Sequence, residues 1–182
     1  MNKKGFTLVE TLITTAIFLI VLSILYTFFN ANYKNYSSTE AEINLQEEGD
    51  RAIEKITEKA MQCSKILQVV DENDVTVYDH NDGIGEIEKK DIISIKSIKI
   101  DNVFEESKYY KFYLKENKLY MSTDDTHTGI LIAEGIEKLL IKPAGNEGYF
   151  QGNKGMYVKL QLSTGRKNGL KKVVETEIYF RN

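Results

Sequence analysis

The chain has one cysteine, one proline and two histidines in 182 residues, and each scarcity excludes something. A lone Cys63 cannot build an intramolecular disulfide framework. It falls on the apolar helical stripe described below, so it is expected to be a buried small hydrophobe and not a reactive thiol. Pro143 comes late, and nothing before it forces a helix to break. His80 and His127 stand far apart, without the Cys, His or carboxylate spacing of a zinc site. The stretch DHNDG (79–83) misses calcium-loop spacing: Gly83 comes one position early and Lys90 stands where a bidentate glutamate belongs, so a solvated turn is expected. No nucleophile elbow, P-loop or HExxH motif occurs. The chain is therefore read as no enzyme, with no catalytic residue, metal site or cofactor. A formal net charge of −3 excludes a generally basic, nucleic-acid-coating protein but leaves room for a local basic patch.

Charge is also missing along one stretch. Between Glu10 and Lys34 there is no charged residue. As a helix this segment, Thr11 to Tyr33, spans roughly 35 Å, enough to cross a hydrocarbon core. Lys3 and Lys4 precede it, which places the N-terminus in the cytoplasm by the positive-inside rule. The residues at its far end, LYTFFN (25–30), are too bulky for a small-x-small signal-peptidase site. On hydropathy alone the segment is an uncleaved anchor. Glu10 does not suit that reading, because a carboxylate entering lipid needs a partner or a route to water.

Beyond the apolar run, NANYKNYSS (30–38) is polar and aromatic, as suits the headgroup level. Ala41, Leu45, Gly49, Ala52, Ile56, Ala60, Cys63 and Leu67 then recur at three- and four-residue spacing, along one helical face. Glu42, Glu47, Glu54 and Glu58 lie off it. The spacing predicts one helix from about Phe6 to Ser64, about 90 Å long, apolar all round at first and amphipathic later. Two helices jointed near Asn35 are the alternative. Gly49 costs about 1 kcal/mol against alanine and marks a bend or a close contact. From Lys65 the period becomes two. IISIKSIKI (92–100) is partly alternating, and YYKFYLK and KLYMS are joined at Glu116-Asn117 as a hairpin. Further strands are expected at 130–133, 139–142, 156–163 and 173–180. The fold class is α+β, a long N-terminal helix packed on an antiparallel β-sheet head.

One surface patch stands out. Between Gln151 and Val174 the charged residues are Lys154, Lys159, Arg166, Lys167, Lys171 and Lys172, with no acid among them. STGRKNGLKK joins two strands, so Arg166, Lys167, Lys171 and Lys172 are expected to cluster at one hairpin tip. Such a tip suits DNA phosphates, anionic surface polymer or an acidic neighbouring subunit; a solvated turn is the plain alternative.

The opening stretch KKGFTLVE resembles the processing site of type IV prepilins and pseudopilins: a short basic leader ending in glycine, then phenylalanine, a glutamate four residues on, and an apolar helix. The resemblance implies that prepilin peptidase cuts between Gly5 and Phe6 and N-methylates Phe6. It divides the chain into a leader (1–5), a hydrophobic transmembrane and assembly helix (6–34), the amphipathic half of that helix (35–64) and a β-rich head (65–182). Loss of Lys3 and Lys4 takes the side-chain charge from −3 to −5. The resemblance also gives Glu10 a partner, the freed Phe6 amine of its own or an adjacent subunit. LQEEGDRAIEKITEKAMQCSKI, YYKFYLKENKLYMS, the strand from Gly135 to Leu140 and the terminal EIYFRN are similar to J-type minor pseudopilins and W-type minor pilins. That likeness implies a subunit that helps initiate or cap a filament near its tip. Its partners would be prepilin peptidase, other minor pilins, the major pilin and the cytoplasmic membrane, which it leaves for an extracellular filament. A bitopic membrane protein that never polymerises is the alternative. The machine served, whether surface pilus, DNA-uptake or type II secretion pseudopilus, is left open.

Overall fold

The computed structural model describes residues 7–81, 92–104, 108–125, 129–144, 155–165 and 169–181. The chain divides into two compact units, Met1–Ala41 and Glu42–Asn182. A single helical element, α1 (Leu8–Ala60), enters both, with no break at Asn35 or Gly49.

From Leu8 on, the described part of the first unit is helical. An 18-residue window reaches a mean hydropathy of 2.4, with none of it buried by the rest of the chain. Leu12, Ile17, Phe18, Ile24, Phe28 and Phe29 are all exposed. Threonine hydroxyls inside this apolar surface are satisfied locally. Those of Thr14, Thr15 and Thr27 donate to the carbonyls of Glu10, Thr11 and Ser23 at 2.7, 2.8 and 2.9 Å. Each bond goes one turn back along the helix, so none of these three hydroxyls would enter lipid bare.

In the second unit α1 meets nine strands: β1 (Ile66–Asp71), β2 (Thr76–Asp79), β3 (Ile93–Asp101), β4 (Tyr109–Lys115), β5 (Lys118–Ser122), β6 (Ile130–Glu134), β7 (Ile136–Pro143), β8 (Gly155–Ser163) and β9 (Lys171–Tyr179). They form an antiparallel sheet in the order β6-β5-β4-β3-β7-β8-β9, with β1 on β3 and β2 on β1. The hub is β3, whose first residues (Ile93–Ile95) pair with β7. Its later ones (Ser97–Asp101) pair with β4, and the register against β1 slips between Ile95 and Ser97. The β4–β5 turn places Glu116 and Asn117 at φ 52° and 59°, the double left-handed geometry of a two-residue hairpin. Gly135, at φ 74°, lets one chain segment pass from β6, on β5, into β7, on β3 and β8. A Cβ there would stand 3.1 Å from the Ser163 carbonyl oxygen, so glycine answers both the turn and the close approach.

The amphipathic stripe is buried as expected at Leu45, Gly49, Ala52, Ile56 and Ala60. It joins Ile95, Ile100, Phe112, Leu119, Leu139, Leu160 and Leu162 in one core. The helical spacing ends at Cys63, not Leu67. Once β1 begins, Ile66 and Val69 are buried and Leu67 is only half-buried, because the inward period has changed from 3.6 to two. The Asp101 carboxylate fixes this corner, accepting from Ser64 N at 2.7 Å, Lys65 N at 3.0 Å and Ser64 Oγ at 2.5 Å.

Cys63 is fully buried. Its thiol donates to the Lys59 carbonyl at 2.9 Å, and burial, aided by the Asp101 charge, pushes its pKa up to about 12. Since the thiolate is the nucleophile, iodoacetamide at pH 8 is expected to leave Cys63 unmodified in the folded chain and to alkylate it in denaturant. Mass spectrometry reads the difference; rapid alkylation of the folded chain would contradict this placement.

Candidate functional site

The unusual acid of the sequence lies in the first turn of α1. Glu10 Oε2 accepts from Thr7 N and from Thr7 Oγ1, both at 2.9 Å. The Glu10 N–H in turn donates to Thr7 Oγ1 at 3.3 Å. This reciprocal pattern is a capping box, in which an N-cap hydroxyl and a glutamate three residues on satisfy each other's backbone N–H groups. It also sets a negative charge where the helix dipole is positive. The signal was in the sequence, as T-x-x-E in TLVE, but attention to Gly5, Phe6 and Glu10 passes over Thr7. Gly5 and Phe6 lie outside the described residues. A cut between them would leave the Thr7 amide, and hence the box, intact.

The box sits at the start of the apolar surface described above. Chemically the region offers a carboxylate at the edge of an uncovered apolar helix and no nucleophile–base pair. Among the described residues no group of three His, Cys, Asp or Glu side chains is placed to hold a metal. Of the DHNDG stretch, Asp79 ends β2 and accepts from Gln68 Nε2 at 3.0 Å and Asn81 N at 2.9 Å. Asp82, Gly83, Lys90 and His127 lie outside the described residues.

Of the four lysines and arginines expected at the hairpin tip, two are among the described residues. Arg166 and Lys167 lie outside the described residues. Lys171 and Lys172 belong to β9, which starts two residues earlier than the alternation indicated. Successive strand residues face opposite sides of a sheet. Accordingly Lys171 reaches Glu137 at 3.6 Å, while Lys172 reaches Glu42 of α1 at 3.4 Å. Both pairs are surface contacts of the kind worth about 0–1 kcal/mol, so either lysine can exchange its partner.

Residues 1–26 match the family model for the prokaryotic N-terminal methylation motif. No curated protein and no solved structure matches the chain. The motif supports a type IV pilin or pseudopilin processed by prepilin peptidase, a structural-subunit family and not an enzyme family. The α+β arrangement of an apolar N-terminal helix packed through its later turns on an antiparallel sheet is type IV pilin-like.

Proposed function

We propose that the chain is a minor type IV pilin or pseudopilin that helps initiate or cap a filament near its tip. The observation that carries this reading is the methylation motif over residues 1–26, continuous with a helix whose first, apolar stretch is left uncovered by the described residues. The minor assignment rests on a resemblance in pattern alone, that of LQEEGDRAIEKITEKAMQCSKI, YYKFYLKENKLYMS, the strand from Gly135 to Leu140 and EIYFRN to J-type pseudopilins and W-type pilins. Prepilin peptidase cuts between Gly5 and Phe6 on the cytoplasmic side and methylates the Phe6 amine. The processed chain waits in the cytoplasmic membrane as a single-pass protein, then joins sibling minor pilins and the major pilin in an extracellular filament.

Glu10 supplies the register. In the lone chain its carboxylate is occupied by two neutral donors of Thr7. A cationic Phe6 amine from an adjacent subunit offers a charge-assisted bond, roughly twice as strong as a neutral one. It does so among packed apolar helices, where water competes little. The box thus holds the carboxylate until a neighbour's amine arrives.

Glu10→Val is expected to insert in the membrane normally yet to fall about tenfold or more in filament incorporation, the consequence of losing one charge-assisted bond. Glu10→Gln separates the two roles, since glutamine also serves a capping box but carries no charge. It is expected to assemble as poorly as Glu10→Val. Normal incorporation of Glu10→Gln, measured by immunoblot of sheared filaments against membranes, would contradict charge pairing. A second reading, a bitopic protein that never polymerises, is favoured by the box itself, which satisfies Glu10 without a partner. In that case the unaltered chain would itself be absent from sheared filaments.

A further inference from the structure

The solvent side of the head carries a feature that filament assembly does not use. A cleft of about 460 Å³ lies between the β1–β2 turn and β4, over β3. Its floor is Val70, Ser97 and Tyr113, which the register sets in one row: Val70 pairs with Ser97, and Ser97 with Tyr113. Its rim is Lys96, Lys111, Lys115 and Asp74. The volume falls within the usual range for small-molecule sites, which are mostly apolar with a few placed polar groups.

Ser97 is only 8% exposed, yet among the described residues its hydroxyl makes no hydrogen bond. Among the described residues no side-chain polar atom is sealed from solvent without a partner. The Ser97 oxygen therefore meets solvent, through the cleft it lines. A nearly buried hydroxyl left open in this way is uncommon.

The rim charges point to the sign of a ligand. Lys96 is held by Asp74, at 2.5 and 2.6 Å. Lys111 reaches Asp125 at 3.3 Å, but that carboxylate already sits closer to Lys99, at 2.9 Å. Lys115 has no acidic partner among the described residues and stands directly opposite Lys118 in the β4–β5 ladder. Like charges so placed repel. Lys118 is relieved by Glu134 at 2.6 Å, and Lys115 is not. The cleft is thus net positive in a chain of formal charge −3. The body of the ligand follows from Tyr113. Its ring is stacked on Tyr120, with centroids 5.4 Å apart and planes 14° off parallel, and Lys111 Nζ stands 6.0 Å from its centroid. With one ring face on Tyr120 and the Lys111 ammonium also near the ring, a planar base finds a poor stacking platform, whereas a compact apolar body can lie along Val70 and the ring edge.

We propose that this cleft binds a small organic anion, with a compact apolar body on the floor and a single anionic head between Lys111 and Lys115, hydrogen-bonded by Ser97. The test uses the full-length chain in detergent micelles and backbone NMR, with benzoate, its neutral counterpart benzamide, and inorganic phosphate as probes. Benzoate is expected to shift the Ser97, Tyr113 and Lys115 amides saturably, with a Kd on the order of 1 mM for so small a ligand. Benzamide and phosphate are expected to do so at least tenfold more weakly. Lys115→Gln should weaken benzoate about tenfold, as for a lost hydrogen bond to a charged group. Ser97→Ala should weaken it several-fold while leaving the melting temperature unchanged or higher, because it removes a hydroxyl without a partner. Equal shifts from benzamide would overturn the role of the lysines, and equal shifts from phosphate the role of the floor. No saturable shift with benzoate, or full binding by a folded Lys115→Gln chain, would overturn the site.

Discussion

The Gly49→Leu chain is expected to melt well below the unaltered one, with a loss of about 2 kcal/mol in head stability. Two opposing terms give that figure. Leucine is the better helix former, by about 0.8 kcal/mol in a helix interior. Against it, a Cβ at position 49 would stand 2.6 Å from Val174 Cγ2 and 3.3 Å from Leu162 Cδ1. The first distance is below any real Cβ contact, and a leucine adds three further carbons. Overpacking of this kind costs about 1–3 kcal/mol, at times more, and here it is placed at the upper end because Leu162 is fully buried. Denaturation of the full chain in micelles measures the loss. Trimming the obstacle provides an internal check. Val174 is only partly buried, so Gly49→Ala combined with Val174→Ala should be more stable than the two single changes predict by addition. Wild-type stability for Gly49→Leu would show that α1 and β9 do not approach as closely as described.

The second large effect lies at the other end of the chain. Gly5→Leu is expected to abolish leader removal almost completely. Glycine has no side chain to obstruct a protease subsite, and a leucine before the cut must be accommodated by a site matched to its absence. The uncut chain keeps Lys3 and Lys4 and never forms a free Phe6 amine. Its Glu10 stays in the Thr7 box, and its own α-amine, at Met1, stands five residues upstream of where a neighbour's carboxylate would meet it. It should therefore accumulate in the membrane at its full precursor mass and be missing from filaments. Efficient cleavage of this variant would point to a protease of different specificity.

The helix and most of the sheet could be read from residue spacing, for a physical reason. The stripe from Leu45 to Ala60 and the alternation of Met156, Val158, Leu160 and Leu162 each record one buried face, and both are buried. The hairpin turn was legible from Glu116-Asn117 because the flanking alternation leaves only two residues between strands. Elsewhere local pattern gave less. ILQVVD and TVYD carry little alternation, and β1 and β2 exist through pairing with each other and, for β1, with β3. At the candidate site Glu10 was conspicuous as the one acid beside an uncharged run. Thr7 was not, because its role rests on a bond made only when the helix forms. The lysines of β9 read as a cluster because they adjoin in sequence, yet the pleat sends them to different acids. The cleft had no local signature, since its floor joins Val70, Ser97 and Tyr113 through strand register.

The mature N-terminus separates a processed pilin from an anchor, and mass spectrometry of the N-terminal peptide, taken from the chain in its native membranes, measures it directly. The predicted result is a peptide that begins at Phe6 with a methylated α-amine and has lost residues 1–5. An intact Met1, or a cut placed after the apolar run, would contradict the account and leave the chain an ordinary membrane anchor.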